Sequence, residues 1–290
     1  MNFSEFLTTQ NIVLLDGAIG TELDKRGIMG RARNNLDSPK IVLEIQKEYA
    51  QCGCHAITTN TLTMNRIYIE THNVGVSVQD VNRAGAELAR QAVENNQYIL
   101  GDISSTGQLL EPYGTYKEKQ FYDAFKEQAE ILAESGVDGF IIETVFDLRE
   151  AACAVRACRD NLTLPVIASI AFQTETKGAR TIMGDTAEKC AQVLADAGAD
   201  VIGANCGDID PAQMAKVVSL LRPATKLPIL AQPNAGMPEL IDSQTVFKMA
   251  PAHFAEGIAE CLKAGARIVG GCCGTTPEHI RAVAGMLDEK

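Results

Sequence analysis

The chain has 290 residues, 46% hydrophobic and 22% charged, with a formal net charge of -11. This is an ordinary globular composition with a sizeable core, and its negative balance argues against nucleic acid or an anionic membrane as partner. No apolar run approaches the roughly 20 residues that span a bilayer, and Met1-Asn2-Phe3-Ser4-Glu5 has no basic or apolar leader region. Nine cysteines without paired framework spacing predict a reducing, cytoplasmic setting.

Apolar strand-like runs lie at residues 11–16, 55–60, 98–103, 139–143, 165–170, 201–205, 228–232 and 267–272. Amphipathic segments alternate with them at 39–51, 78–94, 116–135, 148–159, 187–197, 211–221, 251–264 and 277–288. Ser38 caps the first of these helices and Gly53 stops it, while Thr276 and Pro277 supply an N-cap and a first helical position for the last. Strands buried on both faces and separated by helices imply a parallel sheet. Eight such units predict an α/β fold, a (β/α)8 TIM barrel, as a single domain over residues 1–290. An open doubly wound sheet is the alternative, and the even spacing and missing GxGxxG turn weigh against it. The long loops at 61–77, 104–115, 173–185 and 234–250 all follow strand ends, so they share one face.

A weak repeat supports the barrel. Gly53, Gly136, Gly198 and Gly265 occupy the same small-residue turn before the second, fourth, sixth and eighth strands. Each reads as a left-handed helix terminator. Seven residues beyond them stand Asn60, Glu143, Asn205 and Cys272, at equal heights on the C-terminal ends of alternate strands. Barrel active sites are built at that end.

Cys206 follows Asn205, and Cys272-Cys273 end the last strand inside Gly270-Gly271-Cys272-Cys273-Gly274-Thr275-Thr276-Pro277. Three thiolates converging there would bind one Zn2+ per chain and leave a fourth position open, the pattern of a catalytic metal. Zinc with three thiolates carries one net negative charge, and a substrate thiolate in the fourth position makes it two. That sulfur is deprotonated at neutral pH yet electron-rich, which suits thiol alkylation better than hydrolysis. Cys153, Cys158, Cys190 and Cys261 lie in helical patterns and Cys52 and Cys54 at the far end, so these read as small core residues. His55, His72, His253 and His279 are likewise not assigned to the site.

Gly270-Gly271-Cys272-Cys273-Gly274-Thr275-Thr276, together with Asp16-Gly17-Ala18-Ile19-Gly20-Thr21, Thr59-Asn60-Thr61, Glu143-Thr144 and Asn205-Cys206, resembles the homocysteine S-methyltransferase family over nearly the whole chain. Gly101-Asp102-Ile103, Glu143-Thr144-Val145-Phe146-Asp147 and Pro233-Asn234-Ala235-Gly236 look like the homocysteine-binding module of cobalamin-dependent methionine synthase. The resemblance implies a (β/α)8 barrel, zinc on Cys206, Cys272 and Cys273, and homocysteine as methyl acceptor. It implies that the backbone of Gly17 and Ala18 holds the α-carboxylate, and that Glu143, with Asp16 as second carboxylate, binds the α-ammonium. Asn60, Asn205 and Asn234 would orient loops or groups behind the substrate. The chain departs from the subgroup at Ser104-Ser105, where Gly-Pro is usual, and from the family at Leu62, where Phe is usual.

With the sequence ending at Lys290 and no DxHxxG motif present, the methyl group is expected to arrive in trans, from a separate methyl-corrinoid protein. S-methylmethionine, S-adenosylmethionine and betaine are the alternative donors. A zinc hydrolase would need His and Asp ligands, and the first strand lacks an HxH pair. A thiol- or zinc-binding module without turnover is the remaining rival.

Overall fold

The computed structural model describes every residue except 95, 161, 175–177, 242–243 and 289–290. Those at 175–177 and 242–243 fall in two of the expected long loops, so these parts of the loops lie outside the described residues. Eight strands run parallel: β1 Val13–Leu14, β2 Ala56–Thr58, β3 Tyr98–Ile103, β4 Gly139–Val145, β5 Val166–Ile170, β6 Val201–Asn205, β7 Ile229–Gln232 and β10 Ile268–Val269. Their order is β1-β10-β7-β6-β5-β4-β3-β2, and a parallel bridge between Leu15 and Ala56 returns the last strand to the first. β8 Glu239–Ile241 and β9 Gln244–Val246 form a separate antiparallel pair within the expected loop 234–250.

The expected helices are present as α4 Pro39–Ala50, α6 Val78–Ala92, α7 Glu118–Glu134, α8 Leu148–Arg159, α9 Ala187–Asp196, α10 Pro211–Leu221, α11 Pro251–Lys263 and α12 Pro277–Asp288. Four shorter ones were not expected: α1 Phe3–Thr9, α2 Ile19–Lys25, α3 Asn34–Asp37 and α5 Arg66–Thr71. The first strand is also shorter than the apolar run 11–16 suggests. Among the described residues no helix is long and apolar enough to cross a membrane.

The barrel interior is built in tiers. α1 lies across the N-terminal end, where Phe3, Phe6 and Leu7 are buried. Asn2 caps it, accepting from the Glu5 amide at 2.9 Å. The rings of Phe3 and Phe6 meet Tyr98 at 5.0 and 4.9 Å. Above this floor sits an aliphatic tier of Leu15, Ala56, Leu100, Ile141, Ile167, Val201, Leu230 and Ile268. Strand side chains alternate between faces, so the residue two positions on points inward again. Those residues are Thr58, Asp102, Glu143, Ser169, Gly203, Gln232 and Gly270, while beyond the short first strand the alternation breaks and Asp16 lines the cavity. The same alternation turns the intervening residues outward, where Leu14, Ile57, Ile142, Ala168, Ile202, Ala231 and Val269 pack against the helices in a second core.

Gly53, Gly136, Gly198 and Gly265 all have positive φ, at 89°, 83°, 103° and 111°. They end α4, α7, α9 and α11 in the left-handed conformation and aim the chain into alternate strands. The β1–β2 seam is narrow, and His55 closes it. The Leu14 amide donates to His55 Nδ1 at 2.8 Å, and the His55 amide donates to the Leu14 carbonyl at 2.8 Å. His55 is therefore a structural residue whose proton sits on Nε2.

Phe3→Ala removes a ring that is 2% exposed from the barrel floor. It should cost about 3–5 kcal/mol and lower the urea midpoint with an unchanged slope. An unchanged midpoint would show that α1 is not part of the cooperative core.

Candidate active site

The C-terminal mouth encloses a cavity of about 350 Å³ lined by residues that include Asp16, Gly17, Ala18, Asn60, Asp102, Glu143, Cys206, Cys272 and Cys273. Asn205 and Asn234 are not among the lining residues. Asn205 stands directly behind the lining, whereas Asn234 holds the loop after Cys206, donating to the Gly207 carbonyl at 2.9 Å.

The sulfur atoms of Cys206, Cys272 and Cys273 all lie within 4.8 Å of one another, and Cys206 and Cys273 are 3.8 Å apart. β7 separates the two strands that carry them, so the sulfurs come from alternate strands, as the seven-residue offset requires. Cys206 reaches the triad with φ 53°, a left-handed conformation that is costly for a residue with a Cβ. All nine cysteines are free thiols. Hydrogen bonds from Cys206 and Cys272 pull the Cys273 thiol down to about 3, with Arg31 adding a smaller pull. Cys272 is pushed well above the ordinary thiol range, first by its bonds to the other two sulfurs and then by burial. A cation among the sulfurs would favour the ionised form of all three. The set fits zinc in type and spacing: a tetrahedron with Zn–S bonds of ~2.3 Å has edges of about 3.8 Å.

Asn205 organises the space between the sulfurs and Glu143. Its Nδ2 donates to Glu143 Oε2 at 2.7 Å and Thr144 Oγ1 at 2.8 Å, and lies 3.7 Å from Cys272 Sγ. Its Oδ1 accepts from the Thr144 amide at 2.9 Å and from Ser169 Oγ at 2.8 Å. Thr144 has φ 57°, and the β4–β5 register shifts between Ile142 and Val145. That irregularity presents the Thr144 amide to Asn205.

Three carboxyl groups are buried here. Asp16 accepts from the Thr58 amide at 2.8 Å and its hydroxyl at 3.1 Å. Burial nonetheless pushes Asp16 up to about 7. Burial, then the charges of Asp16 and Cys273, push Glu143 up to about 8. Asp102 is held well above the usual carboxylate range by burial and by Glu143 and Asp16.

The turn Gly17-Ala18 meets the last loop directly. A Cβ on Gly17 would lie 2.6 Å from Thr275 Oγ1 and 2.9 Å from the Tyr49 ring, so only glycine fits. Thr275 Oγ1 accepts from the Ala18 amide at 3.1 Å and donates to the Cys272 carbonyl at 2.7 Å. The Tyr49 hydroxyl spans the carbonyls of Ala18 and Thr275 at 3.2 and 3.0 Å. The Ala18 amide is therefore already engaged. The sequence reading assigned no role to Tyr49, Asp102, Gln232 or Thr275, nor to Arg31 on the cavity wall. Alternation from Leu100 and Leu230 would have marked Asp102 and Gln232; nothing local marks Tyr49, which is 226 positions from its Thr275 partner.

Comparison with known proteins gives consistent findings. The profile of the family described as homocysteine S-methyltransferase matches residues 13–287. The chain is 30% identical over 300 residues to the methionine synthase of Mycobacterium tuberculosis (strain ATCC 25618 / H37Rv), covering 96% of this chain and 25% of that protein. Against the methionine synthase of Mycobacterium leprae (strain TN) the identity is 29% over 299 residues, with 96% and 24% covered. The chain thus spans about a quarter of the length of the curated relatives it matches. The metallated form of the homocysteine methyltransferase MmuM from Escherichia coli superposes with a TM-score of 0.78 at 22% identity, covering 97% of this chain and 98% of that one. At that identity the likeness shows the fold.

The carboxyl pKa shifts give stability a defined pH dependence. The folded state takes up the Asp16 proton near 7, whereas an ordinary aspartate does so at 3.8. Stability from this group is complete below the ordinary value and lost as pH rises through about 7. Metal-free protein should melt at a lower temperature at pH ~8 than at pH ~6. Asp16→Asn keeps an oxygen for the Thr58 amide, so it should melt higher than the parent at the upper pH and shrink the difference. A larger difference in the variant would contradict the assignment.

Proposed function

The chain belongs to the homocysteine S-methyltransferase family, and from that premise we propose that it transfers a methyl group to the sulfur of homocysteine, giving methionine. One observation carries this reading: three thiols within 4.8 Å of one another share a cavity with buried Asp16 and Glu143. Thiols and carboxylates together suit a small amino acid that bears a thiol.

Cys206, Cys272 and Cys273 would hold zinc. Bound there, zinc would keep the substrate sulfur deprotonated at neutral pH and still nucleophilic, because the three cysteine thiolates already supply negative charge. Glu143 and Asp16 bind the α-ammonium, and its positive charge offsets what burial costs their ionised forms. The turn Gly17-Ala18 lets the α-carboxylate approach the backbone, with the Thr275 hydroxyl yielding or sharing the Ala18 amide. Asn60, which donates to Asn35 Oδ1 at 2.9 Å, fixes the cavity wall. Asn205 locks the Glu143 carboxylate and lies against the Cys272 sulfur, so it couples the ammonium end to the thiol end. Asn234 acts at one remove, through the Gly207 loop. A new bond forms between the homocysteine sulfur and the methyl carbon as the bond from that carbon to the donor breaks. No side chain need move a proton in that step, which agrees with His55 and His279 serving structural bonds, to Leu14 and to the Met249 carbonyl.

The favoured donor is a methyl-corrinoid carried by a separate protein. The motifs Gly101-Asp102-Ile103 and Pro233-Asn234-Ala235-Gly236, and relatives named methionine synthase, support it. A cytoplasmic setting follows from the same reading.

Zinc-loaded protein mixed with homocysteine and methylcobalamin should form methionine, while S-methylmethionine, S-adenosylmethionine and betaine should give little. Methionine from a small donor alone would replace the corrinoid assignment, and none from any donor would refute the activity. Cys206→Ser and Cys272→Ser should each lose stoichiometric zinc and nearly all turnover. Unaltered activity in Cys272→Ser would remove the sulfur triad from the chemistry.

A further inference from the structure

The three carboxyl groups in the cavity are not equally served. Asp16 accepts two hydrogen bonds from Thr58, and Glu143 accepts one from Asn205. Asp102 Oδ1 is fully buried and has no partner, although the residue is only 5% exposed. A buried carboxyl oxygen without a donor is costly and calls for an explanation.

Its position is fixed. The Asp102 amide donates to Thr59 Oγ1 at 2.9 Å, and its carbonyl accepts from Thr61 Oγ1 at 2.7 Å. β3 therefore holds the side chain inward, two residues beyond buried Leu100, on the cavity wall with Asp16 and Glu143. Among the lining residues Arg31 is the one lysine or arginine, and its guanidinium pairs with Asp24 at 2.9 Å. The three carboxyls thus converge without a basic side chain bonded to any of them. An ammonium group has three N–H donors.

We propose that Asp102 is the third acceptor for the substrate's α-ammonium, so that Asp16, Asp102 and Glu143 each receive one of its N–H groups. This rests on the methyl-acceptor reading above and extends it. Asp102 is then a specificity-determining residue: it makes the site demand an unsubstituted primary amine, and with the other two it fixes the swing of the thiol toward the cysteines.

The test compares homocysteine with γ-mercaptobutyrate, which has the same thiol and carboxylate and no amine, on the zinc-loaded full chain with methylcobalamin. Asp102→Asn should raise KM for homocysteine roughly 10- to 100-fold with little change in kcat. Its kcat/KM for γ-mercaptobutyrate should stay within about twofold of the parent's. Equal losses on both acceptors would reduce Asp102 to a structural role, and no loss on homocysteine would overturn the proposal. Should the variant fail to fold, the unaltered protein decides with N-methylhomocysteine, which keeps the charge and lacks one N–H. Its kcat/KM should fall about tenfold or more, and equal turnover would overturn the proposal. Calorimetric binding of the same compounds gives the comparison without turnover. An inactive parent protein would then sink the methyltransferase reading alone, while the binding ratios still decide the role of Asp102.

Discussion

Three sulfur atoms crowded within 4.8 Å of one another are the constraint on which the mouth of this barrel depends. With Cys206 and Cys273 Sγ 3.8 Å apart, the folded protein holds an arrangement that a metal would complete. Holding it requires backbone that an unconstrained chain avoids. Cys206 and Thr144 both have positive φ, which costs roughly 1–2 kcal/mol for each residue bearing a Cβ. Asn205 helps to offset the second, because its Oδ1 takes the Thr144 amide while its Nδ2 takes the Glu143 carboxylate. The Cys206 amide is held by the Gln232 carbonyl, and the Cys273 carbonyl by the Ala235 amide. β7 and the loop after it thus brace both sides of the triad.

The tiers beneath explain how such a mouth stays open. Aromatic rings from α1 and β3 fill the N-terminal end, and aliphatic side chains fill the middle. In the next tier polar side chains, Thr58, Asp102, Glu143, Ser169 and Gln232, replace the aliphatic ones. Polar groups then face a volume shielded by apolar layers, which is why their proton affinities depart from ordinary values. Burial pushes both Cys273 and Glu143 up, but in Cys273 the hydrogen bonds from Cys206 and Cys272 outweigh it and the net shift is downward. Stability and chemistry are separated along the barrel axis: the floor supplies the first, and strand ends with the loops they carry supply the second.

Much of this was legible in the residues. Eight apolar runs separated by amphipathic segments announce the barrel, and the four glycine turns set the heights of Asn60, Glu143, Asn205 and Cys272. Two of these, Glu143 and Cys272, lie within reach of the same Asn205 amide. Other features were illegible for physical reasons. α2, α3 and α5 are seven residues or fewer, too short for helical periodicity to register. Gly17 is explained by Thr275 and Tyr49, partners that only the closed barrel brings together. α1 carries its own signal: Asn2 and Glu5 form a capping box, and Phe3, Phe6 and Leu7 are buried together. Asp102 was visible as part of a motif, yet only burial exposes its unpartnered oxygen.

The central claim is that Cys206, Cys272 and Cys273 form a metal site whose remaining position receives the substrate sulfur. Zinc K-edge absorption spectroscopy on the zinc-loaded protein tests it most directly. The account predicts three sulfur neighbours and one lighter atom before homocysteine is added, and four sulfur neighbours afterwards. A spectrum that homocysteine leaves unchanged, or one showing imidazole nitrogen in place of cysteine sulfur, would contradict it.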